Sequence, residues 1–144
     1  MYEQRLYPES VPPFEGEANP AYFFIKNLGK SMGEGLVTRI FIPKGAVAFR
    51  FNGPVLNYQT LFTLQQAPGV YIEDPYVMGK VLHSCHPNLT CDMSTCTFTA
   101  LRDIQPGEVL TMDYEETEDE LFREFDCQCG NEGCRGRISG RLRH

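Results

Sequence analysis

Three cysteines crowd the end of the chain as C-x-C-x4-C: Cys127, Cys129 and Cys134 in the run CQCGNEGC, with a fourth, Cys85, far upstream in HSCHPN. Thiolate sulfur is the preferred soft ligand of zinc, a closed structural site takes four ligands in a tetrahedron, and Gly130 and Gly133 let the backbone turn tightly about an ion. One structural zinc held by these four would staple the tail to the middle of the chain. Two alternatives stand beside it, disulfides of a secreted domain and buried free thiols. Disulfides go with a signal peptide and a cysteine-dense composition, whereas this chain opens MYEQRLYPES with no apolar h-region and has 6 cysteines in 144 residues. The metal reading is preferred, and with it an intracellular, reducing compartment, nuclear or cytoplasmic. Cys91 and Cys96, in CDMSTCTFTAL, fall outside the group and read as small core or surface thiols.

A chain of 144 residues with 42% hydrophobic content is one domain with a real core. No apolar stretch approaches the ~20 residues of a membrane span, so no membrane partner is expected. The net charge of −6 lacks the broad basic footprint of a nucleic-acid binder, and no direct nucleic-acid contact is expected. Charge is unevenly placed. DYEETEDELFRE, at 113–124, is strongly acidic, whereas Arg135, Arg137, Arg141 and Arg143 follow it. The acidic run is either a solvated helix face or an attractor of cationic substrates such as lysine-rich peptides.

Pro8, Pro12, Pro13 and Pro20 make residues 1–20 an extended arm. From Tyr22 onward YFFIKNL, LVTRIFI, AVAFRF, GVYIED, TCTFTAL and EVLTMDY read as short strands of a turn-rich antiparallel sheet, broken by Gly and Pro-Gly pairs. TLFTLQQA, with Thr60 as a cap, and EETEDELFREF read as two short helices. The expected fold is mostly β with short helices.

Four blocks then stand in a telling order: MGEGL at 32–36, HSCHPN at 83–88, PGEVLTMDY at 106–114 and CQCGNEGCRG at 127–136. This resembles the SET-domain protein lysine methyltransferases with a post-SET tail and no pre-SET region. The resemblance implies a fold of several small sheets, in which the second and third blocks thread together in a knot-like core. It also implies three parts: an arm at 1–20, a SET domain at 21–120 and a zinc-bound post-SET segment with a basic tail at 121–144.

The activity implied is methyl transfer from S-adenosylmethionine to a lysine amine of a basic protein or peptide, a histone among the candidates. The sulfonium methyl is already electrophilic, so the site must deliver a neutral amine in line with it. A free lysine has a pKa near ~10.4, and desolvation beside a cation favours the neutral form. By match to the motif, Tyr114 is the catalytic residue. Met32, Glu34, Gly35, Tyr71, Leu82 and His83 match cofactor-binding positions, Phe51 and Met112 match the substrate channel, and the zinc ligands are again Cys85, Cys127, Cys129 and Cys134.

Three residues depart from the family pattern. Leu82 stands where an asparagine usually holds the donor's amino-acid end, and leucine makes no such hydrogen bond. Phe51 replaces a tyrosine, and Met112 takes a position that often carries phenylalanine or tyrosine, so the channel loses hydroxyl groups. These changes keep two further readings open: a scaffold turned to a different or small-molecule acceptor, and a binding module without catalysis.

Overall fold

The computed structural model describes residues 5–30, 32–127 and 134–142. Twelve short strands follow in chain order. They are β1 Phe23–Asn27, β2 Glu34–Thr38, β3 Val47–Arg50, β4 Val55–Leu56, β5 Thr63–Ala67, β6 Val70–Glu73, β7 Leu82–His83, β8 Leu89–Asp92, β9 Thr97–Ala100, β10 Thr111–Met112, β11 Phe125–Asp126 and β12 Arg137–Ile138. A 3-10 turn at Met78–Lys80 and one helical turn, α1 Tyr114–Thr117, complete the described elements. The strands form five small sheets: β1–β2, β3–β9–β8, β4–β6–β5, β7–β10 and β11–β12. This matches the expected mostly β architecture, except that β7 and β10 run parallel while the other pairs are antiparallel.

Alternating apolar residues explain the packing. Phe23, Leu36, Phe49, Leu89 and Phe98 turn inward from different strands, and Leu110 from just before β10, into one buried cluster, with the Phe49 and Phe98 rings 5.0 Å apart. Cys91 and Cys96 are half-buried free thiols against this cluster, in keeping with the sequence reading. The N-terminal arm is irregular but firmly docked. Tyr7 is buried and its hydroxyl donates to Asp74 Oδ2 at 2.6 Å, while Arg5 makes two bonds to the Glu17 carboxylate at 2.7 and 2.9 Å.

Both expected helices need correction. TLFTLQQA is a turn followed by β5, because its backbone pairs with β6 and its polar side is satisfied from outside: Gln65 N–H donates to Glu118 Oε2 at 2.7 Å and its side chain binds Asp119. Of EETEDELFREF only the first turn is helical, within α1. Beyond it the backbone pairs with the tail: the carbonyls of Glu118 and Asp119 accept from Arg141 N and Leu142 N at 2.7 and 3.0 Å, and Leu121 N donates to Ser139 O. Gly140 makes this approach feasible, since it has φ +128° and a Cβ there would fall on the Asp119 carbonyl.

The crossing of the two central motifs rests on Asn88. Its buried side chain accepts from Thr111 N at 2.8 Å and donates to Val109 O at 3.0 Å, tying HSCHPN to GEVLTMDY beside the β7–β10 pair.

Candidate functional site

A cavity of about 420 Å3 opens where the two motifs meet the tail. Met32, Gly33 and Glu34 form one wall, Met78 to Leu82 another, and Leu61 to Leu64 a third. Phe122 and Phe125 close it from the tail side, and Tyr114 and Glu118 contribute the polar surface of one helical turn. Gly33 reaches its place in the wall with φ +71°, which lets its N–H and C=O close the turn onto Gly29 and Leu28.

Tyr114 begins α1, whose N-cap Asp113 accepts from Glu115 N at 3.0 Å. Its hydroxyl donates to Val81 O at 2.8 Å, and burial pushes the phenol's pKa up, so it stays protonated at neutral pH. Its backbone N–H donates to His83 Nδ1 at 3.0 Å, and the rings of Tyr114, His83 and Phe125 pack edge to face or tilted within 5.2–6.0 Å. The His83 ring is buried, and desolvation holds its pKa down against the pull of Asp113.

The cysteines come together as the spacing implied. Cys85 Sγ lies 3.8 Å from Cys127 Sγ and 3.9 Å from Cys134 Sγ. Two thiolates about 2.3 Å from a tetrahedral ion stand about 3.8 Å apart, so the Cys85–Cys127 and Cys85–Cys134 separations each suit a shared zinc. Cys129, the fourth residue of the expected set, lies outside the described residues, as do Gly130 and Gly133. His83 Nε2 is 3.7 Å from Cys85 Sγ and belongs to the same donor group. Its tautomer separates it from the ligands, however. Nδ1 accepts from the Tyr114 amide, so the proton of the neutral ring sits on Nε2, which then donates to the Cys85 sulfur instead of binding metal. One imidazole thus links the cysteine cluster to Tyr114.

Other expected site residues lie elsewhere. Met32, Glu34, Leu82 and His83 are at or beside the cavity, with Glu34 paired to Lys80 at 2.8 Å. Gly35 sits in β2 behind the wall, where a Cβ would press on Leu28 and Leu82; its smallness serves packing there. Tyr71 is half-buried in β6 opposite Gln65 and does not line the cavity. Phe51 and Met112 are core residues and not part of this cavity, each about 1% exposed. Without its hydroxyl Phe51 packs against the Phe98 ring at 5.5 Å, and Met112 is fixed in the β7–β10 pair opposite His83.

Apart from Glu118, which lines the cavity, the acidic run is neither a solvated helix face nor an open cation trap, because the chain's own groups occupy it. Arg135 binds Asp113 at 2.7 Å and Glu115 at 3.0 Å, Arg141 binds Asp119 at 2.8 Å, and Arg137 faces Glu124 and Asp126. Glu115, buried, also accepts from Ser139 N and Gly140 N at 3.0 and 2.9 Å. Sequence reasoning missed Glu115, Glu118, Phe122 and Phe125. Only their position between DY and the first tail cysteine pointed to them.

Comparison with known proteins fits this arrangement. The SET domain family matches residues 33–115. A curated relative from Aspergillus flavus named "Methyltransferase flvH" is 33% identical over 104 residues, covering 70% of this chain and 58% of its own. The methyltransferase domain of human histone-lysine N-methyltransferase SETMAR superposes with a TM-score of 0.64 at 23% identity, over 79% of this chain and 56% of that one. KRYPTONITE in complex with mCHH DNA, H3(1-15) peptide and SAH gives a TM-score of 0.63 at 21% identity, over 80% of this chain and 29% of that one. The chain therefore spans little more than half of the first two proteins it matches. With the family match covering most of the chain, and the crossing motifs and cavity in place, this protein belongs to the SET-domain family.

Proposed function

We propose that the chain is an S-adenosylmethionine-dependent methyltransferase acting on a lysine side-chain amine of a protein or peptide. The observation that carries this reading is the setting of Tyr114, whose protonated hydroxyl stands on a cavity shared with the Met32–Glu34 wall. The solved relative bound to SAH and an H3 peptide supports it. Met32, Glu34, Leu82 and the aromatic wall of Phe122 and Phe125 are the residues to hold the methyl donor, which supplies an electrophilic methyl when bound. The Tyr114 O–H is engaged by Val81, so the oxygen's lone pairs are left to accept from an amine N–H and orient its nitrogen. Phe125 on the tail side, packed on His83 and Tyr114, shields the inner end of the cavity from water. Zinc, held by Cys85, Cys127, Cys129 and Cys134, keeps that tail in place.

Tyr114→Phe is expected to lower methyl transfer roughly a hundredfold. It should cost about 1 kcal/mol of stability, because Val81 O loses its donor. SAH affinity should stay within a few-fold. Incubation with radiolabelled S-adenosylmethionine and a panel of histones, other basic proteins and crude lysate reads this out. Activity of the variant close to wild type removes Tyr114 from the chemistry.

A second reading, an amine acceptor that is not part of a protein, is favoured by Leu82, an apolar side chain lining the cavity in the same wall as Met78 and Val81. An asparagine amide there finds no polar partner among them. Leu82→Asn is accordingly expected to lower stability by about 1–3 kcal/mol without tightening SAH binding. Tenfold tighter binding at an unchanged melting temperature shows instead a donor site that merely tolerates leucine.

A further inference from the structure

Glu118 is a buried carboxylate, 3% exposed, that lines the same cavity as Tyr114. The helical turn α1 places it there: Glu118 N donates to Tyr114 O at 3.1 Å, so the two residues stand one turn apart on one face. Its Oε2 accepts from Gln65 N at 2.7 Å, and Gln59 Nε2 lies 3.5 Å from Oε1. Thr117 also hydrogen-bonds this carboxylate; with about four lone-pair sites, the three contacts fix its orientation and leave room for one more donor. Burial raises its pKa, with Arg141 from the tail opposing, and Asp119 beside it is already engaged by Arg141 and Gln65. Across the cavity, Lys80 is paired with Glu34.

An apolar cavity with one buried acid suits a cation that must become neutral before it reacts. We propose that Glu118 is the acceptor-recognition residue: it receives the ammonium of a primary-amine acceptor and takes one of its protons. The step is a proton transfer from the ammonium nitrogen to a Glu118 oxygen, leaving a neutral amine and a carboxylic acid. The acid returns the proton to water when the product leaves. In a site of low dielectric the neutral amine and acid are favoured over the ion pair, which is the form methyl transfer needs. This inference rests on the methyltransferase reading.

The test uses the full chain with zinc, Glu118→Gln and Glu118→Asp, and measures binding in the presence of SAH as well as transfer. Gln keeps an oxygen for the Gln65 amide, and Asp keeps the charge. Binding probes are n-butylammonium against n-butanol, and a lysine peptide against the same peptide with norleucine. The wild type is expected to prefer the ammonium member of a pair by roughly tenfold to a hundredfold, and Glu118→Gln to lose that preference while binding SAH within a few-fold of wild type. KM for the acceptor should rise by a similar factor in Glu118→Gln and less in Glu118→Asp. Preference for the peptide pair alone identifies a protein lysine as the source of the amine, and preference for butylammonium alone a small free amine. A Glu118→Gln variant that keeps the cation preference, or that loses SAH binding with acceptor KM unmoved, overturns the proposal while leaving the methyltransferase reading in place. A wild-type chain that binds no SAH and labels no acceptor overturns both.

Discussion

Asn88→Ala is expected to lose about 2–5 kcal/mol of stability, a melting temperature lower by roughly 10 °C or more. The reason lies in what alanine leaves behind. Val109 O and Thr111 N are backbone groups inside the crossing of HSCHPN and GEVLTMDY, and the Asn88 amide is the partner of both. A buried group stripped of its partner loses its desolvation free energy in full, typically about 1–3 kcal/mol each. The β7–β10 pair has only two residues on each strand and cannot make up the difference. Asn88→Asp keeps the acceptor for Thr111 N but sets oxygen against Val109 O, so it should fall between. Chemical denaturation of the three proteins checks the order, and a loss under 1 kcal/mol for alanine shows that the crossing is held elsewhere.

Removal of the metal should have an effect of similar size, but a local one. Freshly purified protein is expected to hold about one zinc per chain, and chelation to weaken SAH binding together with a stability loss on the order of several kcal/mol. The sulfurs at 3.8 and 3.9 Å bring residues 85, 127 and 134 together, and removal of the ion takes away the bonds that would tie them. What then holds the tail is the Glu115 carboxylate on Ser139 and Gly140, the backbone bonds from residues 141 and 142 to 118 and 119, the pairs of Arg135 and Arg141, and the exposed pairs of Arg137, and exposed pairs contribute only ~0–1 kcal/mol each. Hydrogen exchange should therefore show β11 and β12 losing protection first, with β3, β8 and β9 unchanged. Elemental analysis that finds no zinc in unchelated protein removes this account.

The parts legible in the sequence were those fixed by chemistry at short spacing. HSCHPN, GEVLTMDY and the tail cysteines are polar or sulfur-bearing residues whose type is dictated by one role, and they gave the sheet crossing, Tyr114 and the thiol cluster. Thr63–Ala67 was not legible because TLFTLQQA has no strand alternation of its own. Its conformation comes from β6 on one side and from Glu118 and Asp119, more than fifty residues away, on the other. The acidic run misled for a related reason: a helix-like composition was overridden once its carbonyls met the tail backbone. Phe51 and Met112 show a further limit. Matching a motif assigns a position along the chain, but packing decides where the side chain goes: Phe51 lies against Phe98, and Met112 lies within the buried cluster, both away from the cavity.

The cavity takes its walls from residues 32–34, 61–64, 78–82 and 121–125, and the last of these is backed by residues 134–142, which fold against it. During synthesis, then, a chain short of residue 134 lacks the contacts that back the 121–125 wall. Residues 82 and 83 emerge from the ribosome long before the strand they pair with, and Phe125 before the strand that fixes it. A premature stop between residues 114 and 134 leaves both segments of the central crossing but removes the tail that backs the cavity. Abundance of the polypeptide measured by an antibody to its first hundred residues will therefore overstate the number of competent molecules, and a tail-directed reagent is the sounder count.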